Sequence, residues 1–287
     1  MSKQPVISLR RAVRGPAGLI LPALALLLVV MVWPLLQLLY RSFMTPSFSL
    51  SKYQDLFTDG VSVTILVRTV VMSAIVTVVT LLLAYPYAYA LTKVSHRTRA
   101  IMMALVLLPF WTSLMARTFA WLVLLQDTGV VNSILQAIGI GPLALIRNTT
   151  GVTLGMTQVL LPFMVLPLYS TMSKIDPRLM TAAVSLGAPF RVAFRRIYLP
   201  LSMPGVVAGA TLVSIMSLGF YITPQILGSP QQAMISQLIA TKIDRLLDFG
   251  SAGALSAVLI LVTLVLLGLM SRVVKPSEAL GSTGAEE

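Results

Sequence analysis

The segment DPRLMTAAVSLGAPFRVAFRRIYLP, residues 176–200, separates two long apolar stretches of the chain. Asp176 is a suitable helix N-cap, and Pro177 fits the first helical position after it. Gly187 suits the left-handed residue that follows the end of a helix, and Pro189 can open the next helix. The segment is therefore predicted to form two short helices that meet at a corner of small residues.

Each of the two predicted helices has an apolar face. Apolar residues recur at spacings of three and four, which places them on one side of a helix. They are Leu179, Ala182, Ala183 and Leu186 in the first helix, and Phe190, Phe194 and Ile197 in the second. Pro200 is expected to close the unit. From the residues alone two interpretations stand: a docking face for another protein, or an interfacial helix pair whose arginines lie among anionic lipid headgroups.

The composition indicates the environment of this segment. Hydrophobic residues make up 57% of the chain and charged residues 10%, which is unlike a soluble domain. Arg68 and Arg117 are the only charged residues in six apolar stretches, each long enough for a bilayer span of about 20 helical residues. The chain is therefore predicted to be an all-α membrane protein with six transmembrane helices. The stretches lie near 18–40, 61–92, 100–125, 150–173, 201–223 and 251–271.

Basic residues predict the orientation of the chain. They are concentrated in the N-terminal tail, the loop after the second stretch, the segment 174–200 and the C-terminal tail. Because cytoplasmic loops carry an excess of lysine and arginine, both termini and the segment 174–200 are expected to be cytoplasmic. The net charge of +12 follows from this bias, so no nucleic-acid partner is inferred.

Three classes of membrane protein compete: an enzyme, an ion-coupled carrier, and a pore-forming subunit that is powered from outside. The apolar stretches contain no pair of carboxylates for acid–base or metal chemistry, which disfavours an enzyme. They also contain no Asp, Glu or His for a proton relay, although sodium coupling through backbone carbonyls stays open. The chain has no phosphate-binding loop for ATP. A motor would therefore belong to another polypeptide.

The segment 176–200 resembles the EAA loop of ABC importer permeases, in which Glu-Ala-Ala, three residues and a glycine precede an apolar run that ends in Leu-Pro. Thr181 stands where the family usually has glutamate, so a polar contact of that glutamate is in doubt. The matching residues are Ala182, Ala183, Gly187, Ile197, Leu199 and Pro200. The resemblance implies coupling helices that dock on an ATPase subunit. The residues expected to couple this chain to the ATPase subunit are Thr181, Ala182, Ala183, Leu186, Gly187, Phe190 and Phe194.

The resemblance extends over most of the chain. Three sequence segments are similar to those of permeases of spermidine/putrescine-type importers. This branch includes importers of opines, 4-aminobutyrate and aminoethylphosphonate. The three segments are LLPFWTSLMARTFAWLVLLQDTGVVNSIL (107–135), LPFMVLPLYSTMSKIDPRLM (161–180) and LSMPGVVAGATLVSIMSLGFYITPQILG (201–228). The resemblance implies a type I (MetI-like) permease with a five-helix core in the bacterial inner membrane. The implied partners are a second permease, two ATP-binding subunits and a periplasmic solute-binding protein.

The same resemblance implies how the chain is divided and where ATP is used. No cofactor is expected on this chain, because ATP and Mg would bind to the partner ATPase. The expected segments are a cytoplasmic tail (1–17), a first transmembrane helix with a periplasmic loop (18–60), the permease core with its coupling loop 174–200 (61–272), and a disordered cytoplasmic tail (273–287). The expected function is one half of the translocation path for a small amine-containing solute. An ion-coupled carrier without an ATPase partner is the alternative.

A few residues are candidates for the translocation path. An arginine at membrane depth is costly, so Arg117 is expected either to contact the path or to form an interhelical hydrogen bond. Arg68 lies close enough to the outer surface to snorkel. Phe220, Tyr221 and Gln225 lie beside a glycine and a proline that can break the helix, so they are expected to gate a cavity or to anchor the span end. Carboxylates are missing from the spans, which favours an amino-acid-like or opine solute over a highly charged polyamine.

Two further features complete the sequence expectations. The loop 126–149 contains an amphipathic run from Val130 to Ile138, which predicts a short helix that docks a binding protein or packs on its own loop. The motifs GVTLG (151–155) and GVVAG (205–209) permit close approach of helices, and their expected role is structural.

Overall fold

A computed structural model describes residues 16–44 and 48–278, and an isolated bridge between Met44 and Phe48 is the only β-type pairing among them. The predicted tail residues 1–15 and 279–287 lie outside the described residues. The helices are α1 (Pro16–Phe43), α2 (Ser51–Thr58), α3 (Gly60–Lys93), α4 (His96–Leu107), α5 (Leu114–Leu125), α6 (Val130–Ala137), α7 (Thr149–Met172), α8 (Pro177–Ser185), α9 (Phe190–Ala193), α10 (Leu199–Leu218), α11 (Ile222–Leu227), α12 (Ile235–Asp244) and α13 (Phe249–Glu278).

The described residues contain six helical runs that are long and apolar enough to cross a membrane. This confirms the predicted number of spans. They are Pro22–Phe43, Gly60–Lys93, Leu114–Ala137, Thr149–Met172, Phe190–Leu218 and Phe249–Arg272. The last helix continues to Glu278, so residues 273–278 are helical and not the start of a disordered tail.

The prediction of one unbroken third span over 100–125 is wrong. Helix α4 ends at Leu107, a 3-10 turn covers Leu108–Trp111, and α5 starts only at Leu114. Pro109 has no backbone N–H for a helical hydrogen bond, and Thr112 after the turn has an extended backbone. Ser113 then offers a new N-cap by accepting the backbone N–H of Ala116. The apolar stretch is therefore two helices joined by an irregular turn.

The described residues divide into two units: 16–44, 48–58 and 239–257 form the first, and 59–238 with 258–278 form the second. In the first unit, a salt bridge joins Lys52 to Asp248 at 3.7 Å. Burial raises the pKa of Asp248, but hydrogen bonds from Ser251 and the nearby Lys52 outweigh it and leave the pKa below its ordinary value. The Arg41 guanidinium lies 5.0 Å from the Phe249 ring centroid. These contacts hold α2 and the start of α13 together with the end of α1.

In the second unit, α3, α7 and α10 pack against one another around a buried apolar core. Hydroxyl groups link α3 to α10, including Ser73 with Ser217 at 2.6 Å and Thr77 with Ser214 at 2.9 Å. A Cβ atom at Gly209 would lie 2.7 Å from the Met164 sulfur. The glycine is therefore needed for close approach of α7 and α10, which confirms the structural role predicted for the GVVAG motif.

The prediction that Pro200 closes the corner unit is wrong. Helix α9 continues through a π-helical turn, Phe194–Tyr198, directly into α10. Leu199 donates its backbone N–H to the carbonyl of Phe194, five residues earlier. Because proline lacks an N–H, it removes one helical hydrogen bond, and the wider turn before Pro200 allows the helix to continue through it. The helical run that contains the fifth span therefore begins at Phe190.

Candidate functional site

The start of α8 has the predicted capping geometry. Asp176 has an extended backbone, and its side chain accepts the backbone N–H of Arg178 at 2.9 Å. Pro177 occupies the first helical position, where no N–H is needed. The sequence prediction for this helix start is confirmed.

The end of α8 is a left-handed turn at Gly187, with a φ of 88°. The N–H groups of Gly187 and Ala188 donate to the carbonyls of Val184 and Ala183 at 2.9 and 3.1 Å. These bonds satisfy carbonyls that a helix end leaves without partners. The predicted helix end is confirmed, and the chain turns sharply into α9, whose N-cap is Pro189.

This turn displays apolar side chains to the outside. We call residues 176–193 the corner. Leu186 is 89% exposed and Phe190 is 57% exposed. Leu179, Val184 and Val192 are exposed as well. Exposed side chains of this size form a patch that contact with another surface would bury.

The other residues predicted to contact an ATPase subunit differ in how far they are exposed. Thr181 is exposed, and its hydroxyl donates to the Pro177 carbonyl within α8 at 3.3 Å. Ala182 is exposed and Ala183 is half-buried. Phe194 is also half-buried and faces the interior of its own chain. The structure thus brings the predicted set to one corner, with Phe194 at its base and not on its surface.

An aromatic cluster holds that base in place. The Phe194 ring centroid lies 6.3 Å from Tyr85, 5.8 Å from Tyr89 and 5.3 Å from Tyr198. Tyr85 and Tyr89 are four residues apart on α3, so they share one face of that helix. The repeat of tyrosines in YPYAYAL (85–91) is the signal in the sequence for this cluster, which was not among the predicted features.

Arg117 lies on the first turn of α5 and is half-buried. Its Nε group is buried and has no hydrogen-bond partner among the described residues. The next residue, Thr118, is buried, and its hydroxyl lies 3.5 Å from that of Thr223 on α11. The interhelical hydrogen bond expected as one interpretation is therefore absent at Nε. Arg68 donates from Nη1 to the Pro230 carbonyl at 3.4 Å.

The segment predicted to break the fifth span does so. Helix α10 ends at Leu218, and α11 begins at Ile222. The carbonyl of Phe220, in the gap, accepts the hydroxyl of Ser236 at 2.6 Å. Phe220 is half-buried, whereas Tyr221 and Gln225 are exposed. Helix α11 packs on α5 and α7, so this segment and the helix that carries Arg117 are neighbours.

The amphipathic run in the loop 126–149 forms α6, as predicted. Asn132 is fully buried and fixes this loop: its amide nitrogen donates to the carbonyls of Gln126 and Leu143, each at 3.0 Å. Among the described residues, no three metal-ligating side chains (His, Cys, Asp or Glu) lie together.

The fold is shared with solved transporter structures. A chain of a bacterial alginate ABC transporter, crystallised in complex with an alginate pentasaccharide-bound periplasmic protein, superimposes with a TM-score of 0.69. The match covers 89% of this chain and 92% of the other, at 20% identity. Together with the six apolar helices, this match defines an all-helical membrane fold of the MetI-like type.

Sequence comparison then gives the family. The profile of the family described as the inner membrane component of binding-protein-dependent transport systems matches residues 82–275. The chain belongs to this family of ABC importer permeases and is a multi-pass protein of the inner membrane.

Relatives of this chain are described as permeases of different transport systems. The spermidine/putrescine transport system permease protein of Haemophilus influenzae is 36% identical over 198 residues, which are 68% of this chain and 69% of that protein. The protein of the same description from Escherichia coli is 32% identical over 224 residues, 77% of this chain and 81% of that one. The molybdenum transport system permease protein of Mycobacterium bovis is 31% identical over 223 residues, 77% and 83% of the two chains.

Proposed function

We propose that this permease forms one half of the translocation path for a small amine-containing solute, which a periplasmic binding protein delivers. A second permease supplies the other half, and two partner subunits bind ATP with Mg and hydrolyse it. The observation that carries the proposal is the exposed apolar corner at Leu186 and Phe190. It offers a rigid docking face for an ATPase subunit.

The geometry of the corner favours docking over anchoring in lipid. Leu186 is almost fully exposed at the tip of a turn that backbone hydrogen bonds fix. Full burial of a leucine or phenylalanine side chain contributes about 1.5–3 kcal/mol, so two such residues can provide much of the affinity of a docking contact. Burial in a partner groove would also leave the neighbouring Arg191 and Arg195, both exposed, at the rim.

The orientation follows from the distribution of basic residues. We infer that the corner and both termini are cytoplasmic, because loops rich in lysine and arginine stay on that side. Reporter fusions after residues 96 and 188 should give cytoplasmic signals, and fusions after 55, 140 and 235 should give periplasmic ones. A periplasmic signal at 188 would remove the corner from any contact with an ATPase.

The class of solute rests on two observations. Relatives described as spermidine/putrescine permeases support an amine. The six apolar stretches of the sequence contain no carboxylate that could pair with a polycation, and Asp127 lies in the gap between α5 and α6. This supports an amino-acid-like or opine solute over a bare polyamine. A relative described as a molybdenum permease shows that similarity of this degree also extends to a very different cargo. The proposal therefore covers a polyamine, an opine or an amino-acid-like solute.

Reconstitution tests the proposal directly. The purified chain alone should hydrolyse no ATP, whereas vesicles that contain the whole complex should take up solute only with ATP inside and the binding protein outside. A catalytically inactive ATPase subunit is the control. Uptake by this chain alone, driven by a sodium or proton gradient, would support the ion-coupled carrier instead.

A further inference from the structure

A cavity of about 140 Å³, lined by both polar and apolar side chains, lies at the base of the corner. The ends of α3 and α7 and the first turn of α8 surround it, together with the start of α4. The residues that carry its polar groups are Thr92, Lys93, Arg99, Tyr169, Ser173, Asp176 and Tyr198. This volume accommodates several water molecules or one small polar group.

The charge around the cavity is positive. Lys93 and Arg99 face a single carboxylate, Asp176, which already accepts the backbone N–H of Arg178. Within residues 16–44 and 48–278, neither cation forms an ion pair with a carboxylate. The excess of one positive charge therefore favours an anion in the cavity.

The two cations are held in position by their own chain. Arg99 donates from Nε to the Leu91 carbonyl at 2.9 Å and from Nη2 to the Val94 carbonyl at 3.3 Å. These bonds use two of the five N–H donors of the guanidinium, so three are left for another acceptor. The Lys93 ammonium lies 5.5 Å from the Tyr89 ring centroid.

Tyr198 adds a buried hydroxyl to the cavity wall. The residue is only 4% exposed, and its hydroxyl lies near Thr92 without the geometry of a hydrogen bond to any described residue. Buried hydroxyl groups are normally hydrogen-bonded, because an unsatisfied one is costly. An acceptor that enters the cavity would satisfy it.

We propose that this cavity binds a phosphate group, carried by an anionic lipid headgroup or free in solution. A phosphate presents several acceptor oxygens, which suits donors that belong to three different helical segments: Lys93, Arg99 and Tyr198. A carboxylate, with two oxygens, would satisfy fewer of them. Lys93 ends a transmembrane helix, so the cavity lies at the depth where lipid headgroups are found.

The occupant would also touch the corner, because Pro177 and Met180 of α8 line the same cavity. A bound phosphate would therefore brace the first turn of α8 against the end of α3. Binding itself is independent of the proposed function, whereas any effect on ATPase coupling rests on it. A binding measurement on this chain consequently separates the two proposals.

The test uses the full-length chain, with whatever subunits co-purify, in a maltoside detergent that contains no phosphate. Inorganic phosphate and a short-chain phosphatidylglycerol are titrated separately, and affinity is taken from the shift of the thermal unfolding midpoint. Lys93→Gln should weaken binding about tenfold, because a charge-assisted contact is lost. Tyr198→Phe should weaken it about threefold. Arg97→Gln removes an equal charge from an exposed residue outside the cavity and should leave binding unchanged.

The two ligands distinguish the sources. A response to phosphate identifies a free anion as occupant, and a response to phosphatidylglycerol alone identifies a lipid headgroup; both support the site. If Lys93→Gln does not fold, Lys93→Arg should restore both folding and binding, and Tyr198→Phe still tests the hydroxyl. The proposal is overturned if neither ligand shifts the wild-type midpoint. It is equally overturned if Arg97→Gln weakens binding as much as Lys93→Gln, since the attraction would then be diffuse.

Discussion

The substitution Leu186→Glu tests whether the corner is a docking face. Leu186 is 89% exposed, so the change should leave the folding of the isolated chain almost unaffected. Docked in a groove, the leucine would contribute about 1.5–3 kcal/mol, and an unpaired carboxylate in its place would cost at least about as much again. Because 1.4 kcal/mol corresponds to a factor of ten, a loss of about 3 kcal/mol weakens ATPase capture about a hundredfold.

Gly187 provides a second substitution at the same turn. A Cβ atom at this position would meet nothing within 4 Å, so the cost of a side chain is that of the left-handed backbone, roughly 1–2 kcal/mol for an ordinary residue. Asn and Asp both tolerate this conformation better than most residues. The pair Gly187→Asn and Gly187→Asp therefore isolates the effect of the added charge, and only the aspartate is expected to abolish coupled uptake.

The assay is co-purification of the ATPase subunit in detergent without anionic lipid, followed by uptake measurements in vesicles. Ser185→Glu is the matched control, because it places the same charge on an exposed neighbour off the apolar face. A lipid anchor predicts a different pattern: the ATPase is retained by Leu186→Glu, and the damage comes from changing the arginines at 191, 195 and 196. Normal capture and normal uptake by both Leu186→Glu and Gly187→Asp would refute the docking assignment.

Three further predictions concern other parts of the chain. Arg117→Ala should reduce uptake while the partner subunits still co-purify; loss of assembly would assign the guanidinium to packing. Phe194→Ala should lower the unfolding free energy by about 2 kcal/mol, because a half-buried ring leaves its aromatic cluster. Phe190→Ala should affect ATPase capture and lower the unfolding temperature much less, because the Phe190 ring is 57% exposed and contacts the cluster only through Phe194. Asp248 has a lowered pKa, so its stabilising contribution is present above the ordinary value of 3.8 and is lost as the pH falls through the folded-state value. Asp248→Asn should therefore lower the unfolding temperature at pH 7 and make no difference at pH 2; an equal effect at both pH values would contradict a charge effect.

The features that the sequence predicted well are local ones. The N-cap at Asp176 and the left-handed turn at Gly187 depend on residues within one or two helical turns, so their signals lie side by side in the chain. The six spans follow from length and hydrophobicity, which need no knowledge of packing. The glycines of GVVAG predicted that another helix could pack closely at Gly209, because small residues in spans permit such contacts. They did not predict which helix would pack there.

The features that the sequence did not predict depend on distant contacts or on competition between neighbouring signals. The contacts of Phe194 with Tyr85 and Tyr89 join residues more than a hundred positions apart, and a helical spacing alone could not show which side would face its own chain. Because proline lacks a backbone N–H, Pro200 was predicted to end the helical unit. The π turn before it allows the helix to continue without that hydrogen-bond donor. The cavity at Lys93 required the ends of α3 and α7, the starts of α4 and α8 and the π turn with Tyr198 to come together.

The unbroken helix from Phe190 to Leu218 has a mechanical consequence. Its 29 residues form a lever about 43 Å long, at 1.5 Å per residue. A rigid tilt of about 5° at the corner would carry the opposite end through about 4 Å, roughly the width of a methylene chain. That end meets the break between α10 and α11 at Gly219, directly before Phe220 and Tyr221. A small rotation of the corner on one surface would thus displace the candidate path residues near the other surface by several ångströms.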